Sequence, residues 1–286
     1  MDQNKIAILT DSCSDVPQSL LERFHIYEMA LRINYKDRSY RDRVDISPEE
    51  VYENLQKEIP HTSFPTIGEM HETIEKIVAD GYDQIIIPVI SSGLSGTFKA
   101  IKMVCEDFKD IKTKVIDTKN IGLGSGFLSV YAAQLRDQKL NFEEIVEKVE
   151  NKIATSNIYF SLKTLEYLIK GGRLGRVEGM IGRLLQVKPI ITCDTDGIYY
   201  TVEKARGRKQ SISKLIKIVQ DKIKDKKNYY LCICHGYAQE EADKIREMMQ
   251  PYVDSAALFM EGQISPALGV HTGPGLIGIG CFELDD

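Results

Sequence analysis

Residues 84–97 read Gln84-Ile85-Ile86-Ile87-Pro88-Val89-Ile90-Ser91-Ser92-Gly93-Leu94-Ser95-Gly96-Thr97. The first half is a near-continuous apolar run, which suits a strand covered on both faces, as in a parallel sheet. The second half holds three serines, a threonine and two glycines before a helical stretch begins. Glycines let backbone approach a ligand, and hydroxyls with the free N–H groups of a helix start favour an anion. An ordinary polar helix cap also fits, but so many small and polar residues exceed what a cap needs. The segment around Ser95 falls short of the nucleophile elbow G-x-S-x-G, because Thr97 stands where the last glycine belongs. A serine hydrolase using Ser95, with His271 as base, remains an alternative.

Working outward, residues 5–9 and 114–116 read as further buried strands. Between the strands lie helix starts of one kind. Ser47-Pro48-Glu49-Glu50, Thr66-Ile67-Gly68-Glu69 and Asn141-Phe142-Glu143-Glu144 each place a capping residue three positions before a Glu. Gly81-Tyr82 closes the helix that Thr66 opens. This βαβα order predicts an α/β N-terminal domain, residues 1–157, with a mostly parallel sheet and flanking helices. From residue 158 to 286 the texture changes to α+β. A short helix over 166–170 ends at Gly171-Gly172, and residues 189–193 and 198–202 flank Asp194-Thr195-Asp196-Gly197 as a hairpin. Helix-strand units follow at 211–224 with 229–234, and at 239–249 with 256–260, before a last apolar run at 276–282.

The 286 residues favour two domains, since one domain typically holds roughly 100–200. The net charge of −5 gives no pull toward nucleic acid or anionic membrane. A basic group (Arg173, Arg176, Arg183, Lys188, Lys204, Arg206, Arg208, Lys209) lacks the interleaved aromatics of a nucleic-acid platform. If Arg173 and Arg206 converge near the Ser95 loop, they suit a phosphate or an acidic partner surface. No run approaches the roughly 18–20 apolar residues of a membrane span, and the N-terminus carries no secretory pattern. Six cysteines in this length are not a disulfide framework, so a cytoplasmic location is expected. Cys232 and Cys234 fall on one face of a strand beside His235. With no second ligand pair at zinc spacing, core packing is expected rather than metal.

Other loops carry residues suited to chemistry. His61-Thr62-Ser63-Phe64-Pro65 reads as a defined loop that offers two hydroxyls, because Pro65 biases Phe64 to an extended shape. Gly269-Val270-His271-Thr272-Gly273-Pro274-Gly275 reads as a shaped turn that exposes His271. In Asp11-Ser12-Cys13-Ser14-Asp15, Cys13 stands where a D-x-D phosphotransferase needs its second acid. Gly122-Leu123-Gly124-Ser125-Gly126 is not G-x-G-x-x-G and reads as a tight strand-to-helix turn. No G-x-x-x-x-G-K-[ST] occurs.

Taken in order, Thr10-Asp11-Ser12, Thr62-Ser63-Phe64-Pro65, residues 91–97, Leu168-Ile169-Lys170-Gly171-Gly172-Arg173 and His271-Thr272-Gly273 resemble the DegV fatty-acid-binding family over the whole chain. The Ser-Gly-Leu-Ser-Gly-Thr and Gly-Gly-Arg elements are the most specific. The resemblance implies a two-domain fold with a lipid held between or beneath the domains. It implies that Thr62, Ser95 and His271 hold the carboxylate, with Ser63 nearby. It further implies the lipid-presenting role in a bacterial fatty acid kinase, whose separate subunit brings ATP and magnesium and makes acyl phosphate. Arg173 and Arg206 match positions linked to that partner or to phosphotransfer. No cofactor or catalytic group of its own is expected. Phe64 departs from the family, which usually has Gln there, and residues 262–267 are irregular for it.

Overall fold

The computed structural model describes residues 5–180 and 187–284; Arg183, one of the basic group, lies outside them. Strand β1 (Ile6–Asp11) is buried at every position, and β6 (Gln84–Val89) at all but its first. They form the centre of a four-stranded parallel sheet, ordered β2-β1-β6-β7, with β2 (Ile26–Met29) and β7 (Lys112–Asp117) at the edges. The expected capping boxes all form. Ser47 and Glu50 open α2 (Pro48–Asn54), Thr66 and Glu69 open α3 (Ile67–Ala79), and Asn141 and Glu144 open α6 (Phe142–Lys152). Helices α1 (Gln18–Arg23), α4 (Thr97–Cys105) and α5 (Leu123–Asp137) complete this part.

A small antiparallel sheet, β4-β3-β5, lies beside it: β3 (Arg32–Asn34), β4 (Ser39–Arg41) and β5 (His61–Ser63). The expected loop at 61–65 is thus corrected, because its first three residues are a strand in which Thr62 pairs with Ile33. Backbone pairing makes this strand, and its exposed polar side chains carry no hydrophobic alternation to announce it.

The second sheet has six strands, ordered β10-β9-β8-β13-β11-β12. They are β8 (Ser156–Ser161), β9 (Val187–Cys193), β10 (Tyr199–Arg206), β11 (Tyr229–Gly236), β12 (Leu258–Gln263) and β13 (Leu276–Glu283). Only β11 and β12 pair in parallel. The expected hairpin is present, but its second strand runs on to Arg206 and takes Lys204 into the sheet. The strand expected at 256–260 lies at β12, because α10 (Gln250–Ser255) occupies the approach to it. Helices α7 (Glu166–Lys170), α8 (Gly207–Ile223), α9 (Gln239–Met248) and α11 (Pro266–Thr272) are the others.

Cys232 and Cys234 are buried in the core on one face of β11. A Cβ at Gly280 or Gly278 of β13 would stand 2.8 and 2.6 Å from their respective sulfurs, so the glycines make the room the thiols fill. Among the described residues no helix is long and apolar enough to cross a membrane.

Candidate functional site

One cavity of about 240 Å³ has an apolar body and a polar rim. Ile90, Ile121, Ile158, Phe160 and Leu268 are buried in its wall, drawn from both halves of the chain. Thr62, Ser63, Ser95, Arg173 and His271 also line it, and all five are at least partly exposed. The chemistry is therefore greasy within and hydrogen-bonding toward solvent.

Strand pairing presents Thr62 at the centre of β5, and its Oγ1 lies 2.6 Å from Nε2 of His271. His271 is not in a turn, as the glycines had suggested. It sits in the last turn of α11, which starts with Pro266 at its first position and stops at Gly273, φ 67°. Proline suits a helix start, so Ser265-Pro266 was the signal for this helix. Burial first, then the charges of Arg173 and His61, hold the His271 pKa down to about 4, so the ring is neutral at neutral pH. Its Nδ1 is buried with no partner among the described residues.

Ser95 belongs to a loop braced from both sides. Its Oγ lies 2.9 Å from Oγ1 of Thr97 and accepts the Thr97 N–H at 3.3 Å. Ser91 donates its hydroxyl to the Gly197 carbonyl at the tip of the β9–β10 hairpin, 2.8 Å away. A Cβ at Gly93 would meet that same carbonyl at 2.8 Å, which is why glycine stands there. A hydrolase needs its serine hydrogen-bonded to its base; here Ser95 pairs with Thr97 and His271 with Thr62.

Ser63 accepts a hydrogen bond from Asn34 Nδ2 at 3.1 Å. Phe64 lines the mouth with its ring against Gly96, where a Cβ would come within 3.2 Å of it. Arg173 follows Gly172, φ 67°, and its guanidinium donates to the Gly171 carbonyl at 2.7 Å. The expected convergence of the two arginines is met by Arg173 alone. Arg206 is exposed at the end of β10, with its N–H bonded to Gln210, and is not among the described residues that line the cavity.

Asp15, Cys13, Tyr199 and Cys234 also line the cavity, and nothing in the sequence had pointed to them as part of it. Residues 11–15 match no phosphotransferase pattern. They form instead a tight turn in which Asp11 Oδ1 accepts the Cys13 N–H at 2.9 Å. Burial pushes the carboxyls of Asp11, Asp15 and Glu28 up to about 7 and that of Asp42 to about 6. Arg43 opposes the shift at the last three. Among the described residues no group of three His, Cys, Asp or Glu is arranged to hold a metal.

Comparison with known proteins agrees with this architecture. The DegV family, described as a family of uncharacterised proteins, matches residues 5–284. A DegV domain-containing protein of Clostridium acetobutylicum is 43% identical over 279 residues, covering 98% of this chain and 99% of its own. The structure of DegV from Bacillus subtilis, described as a fatty acid binding protein, superposes with a TM-score of 0.89 at 29% identity, over 98% of this chain and 99% of its own. A DegV family protein from Thermus thermophilus, described by its fatty acid binding, gives 0.90 at 25% identity over the same shares. With its three sheets, its cavity and a family match over nearly its whole length, this chain belongs to the DegV family.

Proposed function

We propose that this chain binds one long-chain fatty acid, tail in the cavity and carboxylate at the rim, and presents it to a separate kinase subunit. The observation that carries the first part is that Thr62, Ser95 and His271 line one mainly apolar cavity, with Thr62 and His271 in hydrogen-bond contact. Two solved relatives described as binding fatty acids support it. Burying a tail is worth about 0.8 kcal/mol per methylene, so a dozen methylenes supply on the order of 10 kcal/mol. That offsets an association cost of roughly 4–15 kcal/mol. Tail burial then gives affinity, and the head-group contacts fix position.

The head is held by neutral donors. The Thr62 and Ser95 hydroxyls and an uncharged His271 satisfy the carboxylate without the desolvation cost of a buried ion pair. Ser63 stands beside them. Arg173 adds positive charge at the rim. In this reading the kinase subunit brings ATP and magnesium and works in the cytoplasm, and Arg173 and Arg206 face it or offset phosphate charge during transfer. The chain supplies substrate, not catalysis.

Native mass spectrometry tests the lipid. A co-purifying mass equal to a fatty acid is expected, and Ser95→Ala or His271→Ala weakens retention about fivefold, the worth of one hydrogen bond. Protein that is repeatedly empty after gentle handling, and that takes up no added fatty acid, sinks the reading. For the kinase step, acyl-phosphate formation with the ATP-binding subunit should drop in Arg173→Ala and Arg206→Ala while the lipid stays bound. Unchanged turnover in both removes the arginines from that step.

A further inference from the structure

Helix α11 begins with a problem. Its first residues are buried, Ser265 and Ala267 each at 1% exposure, and the Ser265 side chain makes no capping bond. The N–H groups of a helix start have no partners within the helix, and buried ones need them from elsewhere. They come from two carboxylates distant in sequence. Asp15 Oδ1 accepts the Ser265 N–H at 2.8 Å, and Asp42 Oδ1 accepts the Ala267 N–H at 3.1 Å. Asp42 is fixed in turn by the Ser12 hydroxyl at 2.5 Å, and that Ser12 oxygen accepts the Leu31 N–H at 3.1 Å. Ala267 and His271 stand four residues apart, one helical turn, on the same face of a seven-residue helix. So short an element moves as a rigid piece, and whatever fixes its start fixes His271.

We propose that Asp15 and Asp42 are positioning residues: a pair of buried carboxylates that clamps the start of α11 and so sets His271 against Thr62. For the ligand, this rests on the carboxylate-binding reading of His271. Asp11, Cys13, Glu28 and Arg43 face the pair, with Tyr52, Tyr199, Cys232 and Cys234 on the Asp15 side, and Arg43 is the cation that Asp15, Asp42 and Glu28 share. An ionised carboxylate accepts an amide N–H more strongly than a protonated one. With the Asp15 carboxyl near 7 and that of Asp42 near 6, the clamp loosens as pH falls through that range, well above the His271 titration near 4.

The test reads His271 directly in unliganded protein. Its Cε1–Hε1 NMR signal, followed from pH 8 to pH 5.5, should shift with an inflection between about 6 and 7 that is reduced in Asp15→Asn and in Asp42→Asn and absent from the double variant. Fatty acid affinity should fall about fivefold in each Asn variant and further in Asp42→Ala, since Asn keeps an acceptor for the Ala267 N–H. Should Asp42→Ala fail to fold, the two Asn variants decide the matter. A His271 signal with the same pH profile in wild type and both Asn variants overturns the clamp. His271→Ala separates the two ideas: if it binds fatty acid as wild type does, the ligand reading fails, and the clamp is judged by the NMR profile alone.

Discussion

Two neighbouring glycines show how the rim of the cavity around His271 is built from single residues. A Cβ at Gly171 would stand 2.1 Å from His271 Nδ1 and 2.9 Å from its Cε1, so the imidazole occupies the space a side chain would take. Gly172 has φ 67° and open space around it. The first glycine is needed by its neighbour, the second by its own backbone. Gly171→Ala is therefore expected to tip the ring off Thr62 and weaken fatty acid binding about tenfold, a hydrogen bond's worth of 1–1.5 kcal/mol. Gly172→Ala should cost about 1 kcal/mol of stability and leave affinity unchanged. Equilibrium binding and melting curves on both variants check the contrast, and equal affinities in the two remove Gly171 from the site. Part of the cavity's polar lining was legible at this scale. Hydroxyls and a histidine among glycines, in the family's order, led to Thr62, Ser63, Ser95, Arg173 and His271, which line one cavity. Asp15 and Asp42 were not legible, because nothing local to an aspartate tells that tertiary packing will bury it.

Among the described helices, α5 carries the most packing. It is buried on every side from residue 123 to 133 and lies against β1 and β6 of one sheet and β8, β11 and β13 of the other. Ser129 donates to the Thr10 hydroxyl at 3.0 Å, which in turn bonds the Pro88 carbonyl. Small residues let it approach so closely: a Cβ at Gly126 would come within 2.4 Å of the Ser14 carbonyl. In a free helix Gly→Ala gains up to about 1 kcal/mol. Here the overlap outweighs that gain, and Gly126→Ala should lose about 1–3 kcal/mol. A thermal midpoint at or above that of wild type would show that the contact yields freely. The glycines at 122–126 had marked a tight strand-to-helix turn, but not that the helix would be wrapped by two sheets. The same limit recurs elsewhere. Period and caps announced β1, β6, α2, α3 and α6, whose signals lie within a few residues of each other. Strand β5 and helix α11 escaped because each is short and is held by partners far along the chain.

For the whole molecule, the buried acids set the direction in which stability moves with pH. Asp11, Asp15 and Glu28 titrate near 7 and Asp42 near 6 in the fold, against 3.8 for an ordinary Asp and 4.5 for Glu. A carboxyl whose folded pKa is raised holds its proton more tightly folded than unfolded. Its contribution is complete below the unfolded value and is lost as pH rises through 6 and 7. His271 and His235 are shifted down, chiefly by burial, and work the other way: their contribution is full above 6.5 and fades as pH falls. Four carboxyls act against two imidazoles between pH 5.5 and 8. The delipidated protein should therefore melt at a higher temperature at pH 5.5 than at pH 8, at constant ionic strength. Asp15→Asn removes one of the four groups and should flatten the slope. A midpoint that climbs with pH across this range would mean that the acids are solvated or paired more fully than their burial implies. The same burial links stability to the site, because the protons that favour the fold at mildly acidic pH are those that relax the hold of Asp15 and Asp42 on α11. A protein that grows harder to melt while the start of α11 is held less firmly is what the proposed clamp requires.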